Sequence, residues 1–253
     1  MHVNKWLDAE LFSAIEENIV HVWRLSLQPS DEIFSLAEST LTMAEEERAN
    51  RFYFEKGRKQ FIAARGQLKL LLGKYLETNP ANLQFSLNQY GKPYLDNQLA
   101  GTYFNISHSH NLALAGFSIG LDIGVDIEYR RPDWSGLHIA RRFFAEQEVR
   151  DLLNLEDSKQ HQAFFDCWSR KEAYIKARGT GLATPLRMFT VSLDPDKPAE
   201  LCTTNHEPQA VNQWSLKNIN VHPDYSAAIV ANTKTWQLKL FDGLNDYYHR
   251  KIL

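Results

Sequence analysis

Ile-Gly-Val-Asp-Ile-Glu, residues 123–128, alternates apolar side chains with small or acidic ones. This alternation has the two-residue period of a β-strand, so Asp126 and Glu128 are predicted to share one face, roughly 6–7 Å apart along the strand. At an effective dielectric of about 20 their repulsion is roughly 2–3 kcal/mol, which favours protonation of the pair or a cation beside it unless the face is well solvated. A solvated outer face of an antiparallel strand is the alternative interpretation.

A second segment, W-S-R-K-E-A-Y-I-K at residues 168–176, is predicted to be helical. The chain has no Gly or Pro from Gln162 to Arg178, and Gly179 then ends the helix. Glu172 and Lys176 are four residues apart and therefore share a helical face. With the strand, they supply three carboxylates and a lysine where a divalent cation and a pyrophosphate could meet. An ordinary surface Glu–Lys pair is the alternative.

Two further segments suit phosphate binding. Residues 103–110, Y-F-N-I-S-H-S-H, run from a predicted strand into hydroxyl and imidazole side chains, which are common oxyanion contacts at strand ends. Residues 88–94, N-Q-Y-G-K-P-Y, form a predicted turn whose lysine is available to an anion. A plain hairpin turn explains the second segment equally well.

Taken in order and spacing, these motifs resemble those of the surfactin-type 4′-phosphopantetheinyl transferases. The resemblance covers roughly residues 40 to 190. Each motif is short, and the specificity of the match comes from the whole set: R-F-Y-F at 51–54, A-A-R-G at 63–66, G-K-P at 91–93, F-N-I-S-H-S at 104–109, G-V-D-I-E at 124–128, R-R-F-F at 141–144, W-S-R-K-E-A-Y-I-K at 168–176 and G-T-G-L at 179–182.

The resemblance implies an α+β fold that is a pseudo-dimer of two similar halves. Each half would be a small antiparallel sheet packed with helices, and the active site would lie in the cleft between them. The halves would be residues 1–123, on the coenzyme A side, and residues 124–253, with the metal carboxylates and the catalytic helix. The elements predicted from the sequence are a helix start at 42–49, helices near 56–76, 137–153 and 160–178, and strands near 83–87, 102–106, 112–118, 123–129, 188–193, 214–220 and 225–231.

The implied reaction moves the 4′-phosphopantetheine group of coenzyme A to a serine of an apo carrier protein. It releases adenosine 3′,5′-bisphosphate. The resemblance makes Asp126, Glu128 and Glu172 ligands of Mg²⁺, with Mn²⁺ possible, and oxygen ligands suit such hard cations. It also makes Glu172 the acceptor of the serine proton, and Lys176 and His108 the contacts of the pyrophosphate.

Recognition of the rest of coenzyme A is implied by position. Ser107, Arg48 and Lys92 match positions that contact the 3′-phosphate or adenine end in the family. The remaining coenzyme contacts implied by the motifs are Arg65, Gly91 and Pro93. Glu45 stands where the bacterial prototype has a second lysine, so other cations are expected to complete the clamp, the candidates being Arg51, Lys56 and Arg58.

Composition limits the partners. The 253-residue chain carries a net charge of −3 and no dominant basic stripe, which argues against a general nucleic-acid binder. No apolar run approaches 18 residues and the N-terminus lacks a signal-peptide profile, so no membrane association is expected, and a cytoplasmic monomer is predicted. Acyl, peptidyl or polyketide carrier proteins, typically acidic, are the expected partners. The candidate docking residues are Arg130, Arg131, Arg141 and Arg142, with Phe143 or Phe144, of which at least one is expected in the core.

Two other classes of function remain open at this point. One is a different metal-dependent phosphoryl-transfer or hydrolytic enzyme that uses the same three carboxylates. The other is a noncatalytic binding protein that retains the fold. A complete set of carboxylates with His108 and Lys176 favours the transferase, because a mere binding protein needs no such set.

Overall fold

The computed structural model describes residues 5–95, 101–133 and 136–243, and the chain divides into two compact units. The first unit takes its residues from 1–86, 93–120 and 237–253, and the second from 87–92 and 121–236. Both units contain helices and sheets, so the α+β class is confirmed. Each unit also includes a segment that is distant in sequence from the rest of it.

The first unit is built on a five-stranded sheet. From edge to edge its strands are β1 (Trp6–Asp8), β12 (Gln237–Gly243), β2 (Ile19–Ser26), β6 (Leu112–Ile119) and β5 (Thr102–Ser109). β2, β6 and β5 are antiparallel, but β1, β12 and β2 run parallel. The prediction of a purely antiparallel sheet is therefore wrong here. Parallel neighbours need a long connection, and the chain between β2 and β12 provides it.

Three helices accompany this sheet, namely α1 (Asp31–Ser39), α2 (Met43–Asn50) and α3 (Glu55–Tyr75). The predicted helix start at Thr42 is confirmed by a capping box, in which Thr42 and Glu45 each accept a hydrogen bond from the other's backbone N–H. A β-carbon on Gly66 would lie 2.3 Å from the carbonyl oxygen of Ala37, so glycine allows α3 to touch α1. A separate hairpin consists of β3 (Phe85–Leu87) and β4 (Pro93–Leu95).

The second unit contains a three-stranded antiparallel sheet in the order β10 (Ser215–Asn218), β11 (Tyr225–Ala231) and β7 (Ile123–Tyr129). β8 (Phe189–Val191) pairs with β9 (Leu201–Thr204). The helices are α4 (Leu137–Phe143), α5 (Glu146–Asn154), α6 (Asp157–Arg178) and the short α7 (Ala210–Gln213).

The predicted helix over residues 137–153 is two helices, because the chain turns extended at Phe144. The Phe144 side chain is 4% exposed and stacks on Phe164 with ring centroids 5.2 Å apart. Burying this ring directs the backbone out of the helix. Phe143, by contrast, is 36% exposed, which confirms that one residue of the pair belongs to the core and shows which one.

The two long helices, α3 with 21 residues and α6 with 22, each accompany the main sheet of one unit. Residues 61–66, F-I-A-A-R-G, are similar in sequence to residues 174–179, Y-I-K-A-R-G, but the two segments lie at different places in these helices. The first is in the interior of α3 and the second ends at the C-cap of α6, so they do not mark equivalent positions. The pseudo-dimer stays a prediction. Among the described residues, no helix combines the length and apolar character needed to cross a membrane.

Candidate active site

The centre of the candidate site is an ion pair between β7 and α6. Lys176 Nζ on the helix lies 2.5 Å from Asp126 Oδ1 on the strand. The Asp126 side chain is 3% exposed, whereas that of Lys176 is 29% exposed. The solvated-strand alternative for Asp126 is therefore wrong. Lys176 therefore pairs with a carboxylate on another element.

A glycine allows the close approach of the two elements. A β-carbon on Gly124 would lie 2.2 Å from the carbonyl oxygen of Ala173 and 2.3 Å from the backbone nitrogen of Ala177, distances that real side chains do not adopt. The backbone of α6 therefore rests directly on β7. A glycine inside a strand pattern is a sequence signal for such an approach, and it identifies Gly124 as part of the site's framework.

Glu172 faces the same charged region. Burial raises the pKa of Glu172, the negative charge of Asp126 raises it further, and the positive charge of Lys176 opposes both effects. Two carboxyl groups, those of Asp126 and Glu172, thus act on one lysine in this cluster. Glu128, the third predicted ligand, is half-buried and lies two residues beyond Asp126 on the same face of β7.

The chemistry of these residues fits a hard divalent cation, since all three predicted ligands are carboxylates. As the side chains stand, Lys176 occupies one oxygen of Asp126. Within the three described ranges, no group of three or more His, Cys, Asp or Glu side chains is arranged to hold a metal ion. The metal assignment to Asp126, Glu128 and Glu172 therefore stays a prediction.

The two cations that precede Glu172 in its motif have structural roles. Lys171 is fully buried, and its ammonium donates to the carbonyls of Leu186 and Phe189 at 2.7 and 2.6 Å and pairs with Glu148 at 2.8 Å. Arg170 is also fully buried. Burial raises the pKa of Glu148, and the Lys171 charge opposes this. These residues fix α6 from its other side. The sequence pattern alone did not distinguish them from the residues of the site.

The turn at residues 88–92 docks on the end of α6. The Asn88 side chain donates to the carbonyl of Gly179 at 2.8 Å, and its oxygen accepts the backbone N–H of Lys92 at 2.9 Å. The ammonium of Lys92 donates to the carbonyls of Ile123 and Ala177, both at 3.1 Å. Burial lowers the pKa of Lys92, although the charge of Asp122 opposes this. The turn is therefore more than a plain hairpin connection.

Gly91 and Pro93 shape this turn. Gly91 has a φ of 85°, a left-handed conformation that favours glycine, and Pro93 is the first residue of β4. Contacts of Gly91, Lys92 and Pro93 with coenzyme A stay predictions.

Ser107 and His108 are neighbours near the end of β5, and their side chains point to opposite faces of the sheet. Ser107 is 7% exposed, whereas His108 is exposed. The two predicted phosphate contacts of this segment thus differ in accessibility, and both stay predictions. His110 has a φ of 54° in the turn that follows β5.

Arg48 and Arg65 belong to the first unit together with Glu45. Glu45 lies 3.5 Å from Arg65 and 3.1 Å from the buried ammonium of Lys69, besides capping α2. Burial lowers the pKa of Arg65; Glu45 opposes this shift, and the nearby charge of Arg48 adds to it. The Arg65 guanidinium also lies 4.6 Å from the ring centroid of Phe85. The unexpected glutamate thus organises the cations around it, while Arg48 stays exposed.

Comparison with known families identifies the class of protein. Residues 122–230 match a model described as the 4′-phosphopantetheinyl transferase superfamily, and residues 25–117 match one described as 4′-phosphopantetheinyl transferase, N-terminal. The first match contains β7 and α6, and the second contains α1 to α3 together with β5. The candidate site is therefore part of the matched regions.

Individual relatives agree. The chain is 38% identical over 239 residues to the 4′-phosphopantetheinyl transferase HetI of Nostoc sp. strain PCC 7120, which covers 93% of this chain and 97% of the relative. It is 31% identical over 193 residues to the 4′-phosphopantetheinyl transferase Sfp of Bacillus subtilis strain 168, over 76% and 83% of the two chains. The chain belongs to the 4′-phosphopantetheinyl transferase superfamily, in its surfactin type, and is an enzyme of that class.

Among solved structures, the holo-[acyl-carrier-protein] synthase of Thermotoga maritima matches 45% of this chain and 63% of its own at 21% identity. Its TM-score is 0.34, which is too low to inform the fold.

Proposed function

We propose that this enzyme transfers the 4′-phosphopantetheine group of coenzyme A to a serine of an apo acyl, peptidyl or polyketide carrier protein. The observation that carries the proposal is the charged cluster on β7 and α6, where Lys176 contacts buried Asp126 and Glu172 carries a raised pKa. The family membership supports the reaction class. The cluster supports the position of the phosphoryl chemistry within the chain.

In the proposed step, the serine oxygen forms a bond to the β-phosphorus of coenzyme A. The bond from that phosphorus to the bridging oxygen of the pyrophosphate breaks, and adenosine 3′,5′-bisphosphate leaves with the electron pair. The serine proton passes to Glu172, whose raised pKa makes it a better base than an ordinary glutamate. The phosphopantetheine arm then remains on the carrier through a phosphodiester.

We assign Asp126, Glu128 and Glu172 as the residues that would hold Mg²⁺, or Mn²⁺ in its place. When bound, the ion would supply positive charge against the phosphate oxygens. Lys176, whose side chain is partly exposed beside Asp126, would supply a positive charge to the pyrophosphate. His108 is exposed and would donate a hydrogen bond to the same group.

The remaining coenzyme contacts are assigned to the first unit and to the 88–92 turn. Arg48 is exposed, and its positive charge lies close enough to lower the pKa of Arg65, so the two cations are our candidates for the 3′-phosphate, with Ser107 as a hydroxyl donor. The left-handed backbone of Gly91 and the start of β4 at Pro93 would present main-chain groups to the adenine end.

The carrier protein is proposed to dock beside α4. Arg141 and Arg142 are exposed in its last turn, and the guanidinium of Arg142 lies 5.2 Å from the ring centroid of Phe143. Two cations next to a partly exposed ring suit an acidic helical partner. Arg130 is a weaker candidate, because its guanidinium donates to the carbonyl of Pro223 and to Ser226.

Intact-protein mass spectrometry tests the function directly. An apo carrier protein is incubated with this enzyme, coenzyme A and Mg²⁺, and a parallel sample contains EDTA. We expect the carrier to gain the mass of one phosphopantetheine, and we expect EDTA to abolish the gain. Acyl, peptidyl and polyketide carriers are each tried.

The same experiment separates the competing functions. Release of adenosine 3′,5′-bisphosphate with no carrier present and no mass gain would indicate a hydrolase. Binding of coenzyme A without either product would indicate a noncatalytic binding protein. No transfer to any carrier by the folded enzyme would refute the proposal.

A further inference from the structure

We infer that Lys92 is a positioning residue whose ammonium joins the first residue of β7 to the last turn of α6, and that it acts on catalysis through Asp126 and Lys176. The inference deepens the proposed function and rests on it for its kinetic consequences. It gives the lysine of the G-K-P motif a role other than contact with a coenzyme phosphate.

The first support is the pair of hydrogen bonds that Lys92 makes. Its Nζ is 3.1 Å from the carbonyl oxygen of Ile123 and 3.1 Å from that of Ala177. Ala177 lies in the last turn of α6, where carbonyls have no partner within the helix. Gly179 donates its N–H to the carbonyl of Lys176 and Thr180 to that of Ile175, and Lys92 adds a donor for the carbonyl of Ala177 at this end.

The second support is how the backbone of Lys92 is held. The Asn88 side chain accepts the N–H of Lys92 and donates to Gly179, which fixes the turn to the helix end. A β-carbon on Gly179 would lie 3.1 Å from the Asn88 amide nitrogen and 3.3 Å from Cδ of Lys92. The lysine stem thus runs close against the helix terminus.

The third support is the place of the bridged carbonyls relative to the site. Ile123 precedes Asp126 by three residues on β7, and Ala177 directly follows Lys176 on α6. The bridge therefore spans the same two elements as the Asp126–Lys176 pair. It acts at the end where Gly124 lets their backbones touch. Loss of the bridge should let this end of α6 move away from β7 and loosen the ion pair.

An ammonium has three donors, and two of those of Lys92 are used on backbone carbonyls. Moving it to a phosphate would break both hydrogen bonds and leave two partly buried carbonyls without their donor. This argues for the bridge over a phosphate contact.

The test compares Lys92→Met with the matched surface control Lys234→Met, which removes an exposed lysine of the same unit. Steady-state transfer is measured with coenzyme A and with 3′-dephospho-coenzyme A. Backbone hydrogen exchange is measured without any coenzyme. For Lys92→Met we expect kcat to fall about tenfold with both substrates, and the ratio of their kcat/KM values to stay within twofold of wild type. We also expect faster exchange at residues 124–128 and 174–180.

The exchange measurement does not depend on turnover, so it distinguishes failure of this inference from failure of the proposed function. Unchanged exchange in Lys92→Met, or a collapse of the preference for coenzyme A over its dephospho form, would overturn the bridge. Should Lys92→Met fail to fold, Lys92→Arg replaces it, because a guanidinium can still donate to both carbonyls. Lys92→Arg should keep kcat within threefold of wild type, and a tenfold loss in that folded variant would also overturn the bridge.

Discussion

Asp126 illustrates how a single side chain can serve both fold and chemistry. It is almost fully buried, and the lysine that neutralises it is on a different element. Removing one member of a buried ion pair leaves an uncompensated charge, which is costly, whereas the intact pair contributes little net stability. The pair therefore serves to fix the arrangement of charges at the site more than to stabilise the fold. It places Lys176 and holds negative charge beside Glu172.

We predict that Asp126→Asn lowers kcat/KM for phosphopantetheine transfer by roughly 10²–10³-fold, because it removes one preorganised charge at the reacting group. The amide has nearly the same shape, so the far-ultraviolet circular dichroism should match that of wild type. Asp224→Asn, at an exposed position of the same unit, is the control and should stay within twofold. Transfer by Asp126→Asn within threefold of wild type would contradict the assignment.

His21 gives the protein a pH dependence of stability that has no connection with the site. It is fully buried, its Nδ1 lies 2.9 Å from the hydroxyl of Tyr75, and burial together with the charge of Lys239 lowers its pKa to about 4. The unfolded chain, with a His pKa near 6.5, binds the proton first. His21 therefore contributes stability that is fully present above pH 6.5 and is lost as the pH falls towards 4.

The expected loss between pH 6.5 and 4 is at most about 3 kcal/mol, from the difference between the two pKa values. Urea unfolding of wild type and His21→Phe across this range measures it. The phenylalanine variant should be less stable at pH 7, because it lacks the hydrogen bond to Tyr75, yet its stability should decline less on acidification. Parallel pH curves for the two proteins would show that His21 is not the group responsible.

Sequence patterns grouped the candidate residues that lie on regular elements. Asp126, Glu172 and Lys176 became candidates because a strand period and a helix period fix which side chains share a face. Glu45 and Lys92 could not be understood in this way. Their partners, such as Lys69 and the carbonyl of Ala177, come from elsewhere in the chain and depend on tertiary packing.

At the scale of elements, the contact between β7 and α6 sets the geometry of the site. A β-carbon on Gly124 would overlap the helix backbone, which cannot rotate away as a side chain can. Gly124 is thus required because it lets β7 and α6 approach closely, and not because it forms a turn. The helix is also fixed from its far side by Lys171 and Glu148. Any added volume at Gly124 must be relieved by separating β7 from α6.

We predict that Gly124→Ala destabilises the protein by on the order of 3 kcal/mol and lowers transfer activity more than tenfold, because overpacking shifts Lys176 away from Asp126. Urea unfolding and the transfer assay measure the two effects. Gly57→Ala is the matched control: it lies in α3, and its β-carbon would meet only the side chain of Phe52, at 3.0 Å. Alanine there should be neutral or stabilising by up to about 1 kcal/mol. Equal behaviour of both variants would refute the close-approach argument.

The sequence predicted some helices and strands more accurately than others. The strand over 123–129 was predicted at its observed ends, and α3 and α6 within a few residues, because their periods are long or regular. β2 and β12 were not predicted, although β2 is largely buried. Their pairing is parallel and joins segments that are far apart in sequence, so no local turn motif indicates it.

At the scale of the whole molecule, the first unit is completed by the far end of the chain. β12 lies between β1 and β2, and Arg24 pairs with Asp242 at 2.7 Å. This sheet therefore cannot form fully until residues 237–243 are available. Pairings of such long sequence separation are slow to form, since the connecting loop must close before the contacts stabilise it.

Phe241 is the side chain through which β12 contributes most to this core, and we predict that Phe241→Ala destabilises the protein by about 3–5 kcal/mol. The ring is fully buried, lies stacked 4.8 Å from the ring centroid of Trp23, and is 4.9 Å from that of His21. Leu238→Ala, at a half-buried position of the same strand, is the control and should cost roughly 1 kcal/mol.

Urea unfolding measures both losses of stability, and hydrogen exchange shows in which strands they occur. The amides of β1, β2 and β12 should lose protection first in Phe241→Ala, because β12, which lies between the other two strands, loses its buried aromatic contact with β2. If instead Phe241→Ala cost no more than Leu238→Ala, or β2 kept its protection, the C-terminal strand would be an accessory to the first unit and not part of its framework.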